Sequence, residues 1–114
     1  MAIDLRLIAA NHNIWCMKLN GFVNTNSVEP PASSHRECEL GKWLYSEGLP
    51  KNSHLVNMTN LEREHQQLHS LAQKIIQQKT SGNLKEARNN LFALQDISDK
   101  VVDLLNDLHS EVEQ

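Results

Sequence analysis

From Leu84 onward the apolar residues of this chain keep one register. Positions 84, 87, 91, 94, 98, 101, 105, 108 and 112 carry Leu, Ala, Leu, Leu, Ser, Val, Leu, Leu and Val. Steps of three and four alternate, a mean period of about 3.5 residues, which marks a helix that buries one continuous seam against other helices. At a rise of ~1.5 Å per residue such a helix is about 45 Å long. Only a bundle with other long helices can cover it, so the seam alone predicts an all-α fold. Ser98 is the single polar residue in the register.

The remainder of the 114 residues divides in keeping with that expectation. Between about Ile3 and Val23, Leu5, Ile8, His12, Trp15, Leu19 and Phe22 recur at spacings of three and four and trace one helical face. The stretch Asn24 to Ser33 contains Pro30-Pro31 and cannot continue a helix. Ser34-His35-Arg36-Glu37 reads as a capping box that opens a short helix through Leu40, Trp43 and Leu44, ending near Gly48-Leu49-Pro50. Cys38 falls in its first turn, where free N–H groups favour a thiolate. A third periodic stretch runs from about Ser53 to Lys79, with a kink or restart expected at a second capping box, Thr59-Asn60-Leu61-Glu62. Ser81-Gly82-Asn83 closes that helix and caps the next. The expected architecture is one domain, residues 1–114, folded as an antiparallel four-helix bundle of three long helices and a short one carrying the cysteine.

Composition removes several function classes. Net charge is -3, which leaves no basic footprint for nucleic acid. No apolar run approaches the ~20 residues of a membrane span, and the first residues lack a signal-peptide pattern. The two cysteines, Cys16 and Cys38, fit reduced thiols in a cytoplasm better than a secreted disulfide.

Against this plain background four residues stand out: His12, Cys38, His65 and His69. Each alone has an ordinary reading. A histidine on an apolar stripe is usually a neutral, hydrogen-bonded core residue, an i, i+4 histidine pair can arise by chance, and a lone cysteine is a small buried hydrophobe. Together they change the balance. Three imidazoles on apolar faces of two long helices are costly to bury, and one metal ion bonded to all of them removes that cost. Three imidazoles and a thiolate are the complement of a closed tetrahedral zinc site. Cys16, one turn after His12, is a weaker competing ligand. Glu62, Asp96, Asp99 and Asp103 are candidate carboxylate partners for a ligand N–H. His35 reads as a capping-region surface residue, and His54 and His109 belong to no constellation, although His109 sits near the C-terminal end of its helix, where a cation is favoured.

His12 with Trp15 three residues on, then Cys38-Glu39-Leu40-Gly41-Lys42-Trp43-Leu44, then His65-Gln66-Gln67-Leu68-His69, resembles the chemoreceptor zinc-binding domain family. The likeness extends over about residues 5 to 110. It implies a cytoplasmic bacterial sensor domain, a four-helix bundle, commonly homodimeric, with one zinc per subunit held by His12, Cys38, His65 and His69. It also implies output through a chemoreceptor or a diguanylate cyclase. Unless the chain is a fragment of a longer one, that output is expected to pass through a partner protein.

Four protein ligands leave no open position for water or substrate, so a sensory or structural role is expected rather than catalysis. Zinc itself, or an oxidant acting on Cys38, is the expected stimulus. Two rivals make different demands. A hemerythrin-like di-iron bundle needs paired Glu-x-x-His motifs, of which only Glu62/His65 is present. A structural or adaptor bundle would use the long seam to bind another helix and would fold without Cys38 or His65.

Overall fold

The computed structural model describes residues 5–25 and 38–112, and the Pro30-Pro31 segment and the Ser34–Glu37 capping box lie outside them. All described regular structure is helical: α1 (Leu5–Asn24), α2 (Glu39–Trp43), a π-helical turn (Leu44–Gly48), α3 (Leu49–Asn52), α4 (Val56–Thr80) and α5 (Leu84–Val112). The all-α expectation is met. No helix among the described residues is long and apolar enough to cross a membrane.

Two local expectations are corrected. Helix α4 runs unbroken through Thr59–Glu62, so the second capping box starts nothing; Leu55 takes the N-cap position without a side-chain bond. Buried Met58 and Leu61 continue the apolar stripe of this helix, and their packing outweighs a local capping preference. The short helix, expected to end near Gly48-Leu49-Pro50, is followed by further helical backbone past Pro50. Helical backbone continues to Asn52, because the turn Leu44–Gly48 widens to i→i+5 bonding, with Leu49 N–H donating to the Leu44 carbonyl. Pro50 lacks an N–H and its ring crowds the carbonyl four residues back, and the wider turn accommodates both defects.

Helix α4 closes at Gly82, as the sequence predicts. Gly82 has φ +85°, Gly82 N–H donates to the Lys79 carbonyl (3.0 Å), and Asn83 N–H donates to the Gln78 carbonyl (2.8 Å). This is a Schellman turn, which needs a left-handed residue at the position Gly82 occupies. It folds α5 back along α4, so that Asn90 bonds Gln78 beside the turn and Asn57 bonds Glu111 at the far end. Helix α1 lies along both, with Asn24 against Arg88 of α5 and the Lys79 ammonium of α4 bonded to the Phe22 and Thr25 carbonyls. That ammonium caps the C-terminal end of α1 from another helix and sits 4.2 Å from the Phe22 ring centre.

The interior is two apolar cores. One gathers Leu5, Ile8, Leu44, Met58, Leu61, Val101, Leu105 and Leu108 near the short helices. The other gathers Leu19, Phe22, Leu68, Ala72, Ile75, Ala87 and Leu94 toward the α4–α5 turn. Between them, at residues 12–16 of α1, 65–69 of α4 and 98 of α5, the buried residues include His12, Cys16, His65, His69 and Ser98. The helices thus carry a polar layer through an otherwise apolar bundle.

Candidate metal centre

The layer is built by register. His12 follows Ile8 by four residues and precedes Leu19 by seven, so the helical period that buries those leucine-type side chains also turns His12 inward. His65 and His69, one turn apart on α4, are buried between Leu61 and Ala72 for the same reason. Their rings meet edge to face with centres 4.6 Å apart.

Cys38 reaches the layer from the start of α2. It occupies the N-cap position rather than the first turn, with φ -72° and ψ 162°. Its carbonyl accepts the first helical bond from Lys42 N–H (2.9 Å), and its sulfur accepts from Gly41 N–H (3.3 Å). Serine or aspartate usually bonds the helix start in this way; here the acceptor is a sulfur. The cap fixes the direction of Sγ, which lies 3.2 Å from His65 Nε2.

Cys38, His65 and His69 each offer one ligand atom, and these atoms all lie within 4.8 Å of one another. Donors bound to one tetrahedral zinc through Zn–S of ~2.3 Å and Zn–N of ~2.0 Å stand roughly 3.5 Å apart. The three side chains therefore fit a metal ion with small adjustments. A soft thiolate with two imidazoles suits zinc among the common divalent ions.

His12 lies beside this cluster. Its ring centre is 6.3 Å from that of His65, and its Nε2 faces Cys16 Sγ at 3.8 Å. Burial, with the nearby His69, pushes the His12 pKa down to about 4, so the ring is neutral near pH 7 and able to act as a ligand. Trp15 covers the same space, stacked on His12 with centres 5.8 Å apart and tilted over His69 at 4.7 Å.

Sequence reasoning did not foresee the contacts behind His12. Cys16 Sγ lies 3.4 Å from Ser98 Oγ, and burial pushes the Cys16 thiol pKa up. Ser98 is thus the polar exception in the α5 seam because it faces the polar layer, and its place in that register was the one available signal. Of the carboxylates offered as partners, Asp96, Asp99 and Asp103 are exposed and Glu62 is half-buried. Cys16 and Cys38 are both free thiols.

No curated protein and no solved structure matches the chain significantly. The chemoreceptor zinc-binding domain family does: its sequence profile matches residues 12–76. The match begins at His12, takes in Cys38, His65 and His69, and covers more than half of the 114 residues. This clustering of a thiol and two buried imidazoles, in a segment that carries the family's pattern, points to a bound metal, zinc by the family's name, and the chain belongs to the chemoreceptor zinc-binding domain family.

Proposed function

We propose that the protein is a cytoplasmic zinc-binding sensory domain whose closed site is formed by His12, Cys38, His65 and His69. The observation that carries this reading is the convergence of Cys38, His65 and His69 within 4.8 Å inside a family defined by zinc binding. His12 completes the set by turning its ring from Cys16 toward the cluster, a side-chain rotation within the same layer. The segment 39–52 serves as the fourth member of an antiparallel four-helix bundle, and bound zinc supplies a link joining it to α1 and α4.

A site with four protein ligands has no position for substrate, so the domain acts by changing shape rather than by catalysis. Loss of the metal releases Cys38 and with it the start of α2, while α4 and α5 keep their seam. Two stimuli use the same residue. A fall in zinc empties the site. Alternatively hypochlorous acid oxidises Cys38: the sulfur takes up the oxygen as sulfenic acid, chloride leaves, and the modified sulfur is a poorer ligand. The change passes to a signalling partner, a chemoreceptor or a cyclic-di-GMP enzyme.

Native mass spectrometry tests the site directly, on protein purified without chelator or an affinity metal column. One zinc per chain in the parent, lost or weakened in both Cys38→Ala and His69→Ala, is the expected result. His12→Ala is expected to lower zinc affinity while leaving the chain folded. A folded parent that takes up no zinc on add-back refutes the proposal.

A further inference from the structure

The buried layer holds one donor more than a four-coordinate ion needs. Cys16 is 9% exposed, and among the described residues it belongs to neither apolar core. A buried cysteine is ordinarily a small apolar residue. Here the sulfur instead faces two polar atoms, His12 Nε2 at 3.8 Å and Ser98 Oγ at 3.4 Å.

Where that sulfur stands follows from the register of α1 against α4. His12 meets His65, and Trp15 meets His69. Farther along the same helices, Lys79 bonds the Phe22 carbonyl. The two helices therefore run parallel, and Cys16, four residues after His12, comes level with His69, four residues after His65. Each helix offers a pair of donors one turn apart, His12 with Cys16 from α1 and His65 with His69 from α4. The 3.8 Å between His12 Nε2 and Cys16 Sγ is close to the roughly 3.5 Å that separates nitrogen and sulfur donors on one tetrahedral zinc. These four residues are three imidazoles and one thiol, the same donor set as His12, Cys38, His65 and His69. Exchange of one cysteine for the other leaves ligand number and site charge unchanged.

We propose that Cys16 is a reserve zinc ligand, whose thiolate takes the place of Cys38 beside His12, His65 and His69 when Cys38 is lost from the site. The inference rests on the zinc-binding reading and adds a second bound state to it. On binding, the Cys16 thiol gives up its proton to solvent. Its consequence is that the two stimuli produce different shapes. Cys38 is the half-buried thiol and Cys16 the buried one, so an oxidant reaches Cys38 first. Conversion of Cys38 to its sulfenic acid then frees the start of α2 while α1 and α4 stay joined. A fall in zinc frees all three.

Cobalt titration of the full chain, freed of metal by chelator, reads the sulfur ligand: thiolate bound to cobalt gives a charge-transfer absorption that imidazole does not. The chain has two cysteines, so such a band in Cys38→Ala comes from Cys16. The parent is expected to show the band. Cys38→Ala is expected to bind cobalt more weakly and keep it, and the Cys16→Ala, Cys38→Ala pair to lose it. A parent without the band refutes the zinc site itself; a band in the parent but none in Cys38→Ala overturns the reserve ligand alone. A second measurement leaves Cys38 in place. Zinc-loaded parent and Cys16→Ala are treated with equimolar hypochlorous acid, oxidation of Cys38 is confirmed by peptide mapping, and released zinc is read with a chromogenic chelator. The parent is expected to retain its zinc and Cys16→Ala to release it. Equal release from the two, or equal retention, overturns the proposal.

Discussion

Two glycines in helical backbone, replaced by the same residue, are expected to shift stability in opposite directions. Gly48 ends the π turn with φ -56° and ψ -63°, a conformation any residue adopts. Its reason is space: a Cβ there would lie 2.8 Å from Trp43 Cζ3, 3.0 Å from Cη2 and 3.2 Å from Cε3. The closest approach is 0.6 Å short of the 3.4 Å at which ordinary contact begins. The indole is rigid, buried to 6% exposure and packed in the core near the short helices, so it cannot swing aside cheaply. Overpacking of this kind costs about 1–3 kcal/mol. The helix-propensity gain of Ala over Gly returns about 0.5–1 kcal/mol. The net expectation for Gly48→Ala is a loss centred on about 1 kcal/mol and no larger than about 2.5 kcal/mol. Gly21, with nothing within 4 Å of its Cβ position, keeps only the gain, so Gly21→Ala is expected to stabilise by about 0.5–1 kcal/mol. Urea unfolding followed by circular dichroism measures both, at constant metal content and at a concentration low enough to keep the chain monomeric. Gly48→Ala also moves the indole that packs beside Leu44 and Leu40, so its near-ultraviolet spectrum should change while that of Gly21→Ala should not. If both variants gain stability, the close approach of Trp43 to the π turn is wrong.

Two further expectations rest on other parts of the fold. Lys79→Met removes the cation that bonds the Phe22 and Thr25 carbonyls but keeps an aliphatic stem against the Phe22 ring; a loss of about 1 kcal/mol is expected, and hydrogen exchange should show it as faster opening of the last turn of α1. In the metal-free protein the depressed His12 pKa makes stability fall with acid: the unfolded chain takes up a proton near the ordinary histidine value of 6.5, and the native chain resists until about 4. His12 should therefore contribute no pH dependence above about 7, and a decline of up to ~3 kcal/mol between pH 6.5 and 4 is expected in chelator-treated protein. Loss of that slope in His12→Gln would assign it, and an unchanged slope would refute the assignment.

How much of this was visible in the sequence can be followed residue by residue. The α5 seam, the Schellman turn at Gly82 and the inward faces of His12, His65 and His69 are consequences of helical period and turn chemistry, which act over a few residues and are written in local spacing. Helical period, clearest in the α5 seam, was enough for the all-α class. The thiol and imidazole set was legible because a metal site must combine donors of known type, and only a few such side chains lie on apolar stripes. Tertiary packing decided the rest. Helix α4 passes straight through its internal capping box because Met58 and Leu61 are buried, and helical backbone continues from α2 past Pro50 into α3 only by widening a turn that Trp43 and Gly48 must share. The placing of Cys38 Sγ beside His65, 27 residues away in sequence, and of Ser98 behind Cys16, 82 residues away, depends on four helices settling into one register. Local spacing specifies which side of a helix is buried; which residues then meet is set by the packing of whole faces, a sum over both cores that no short segment contains.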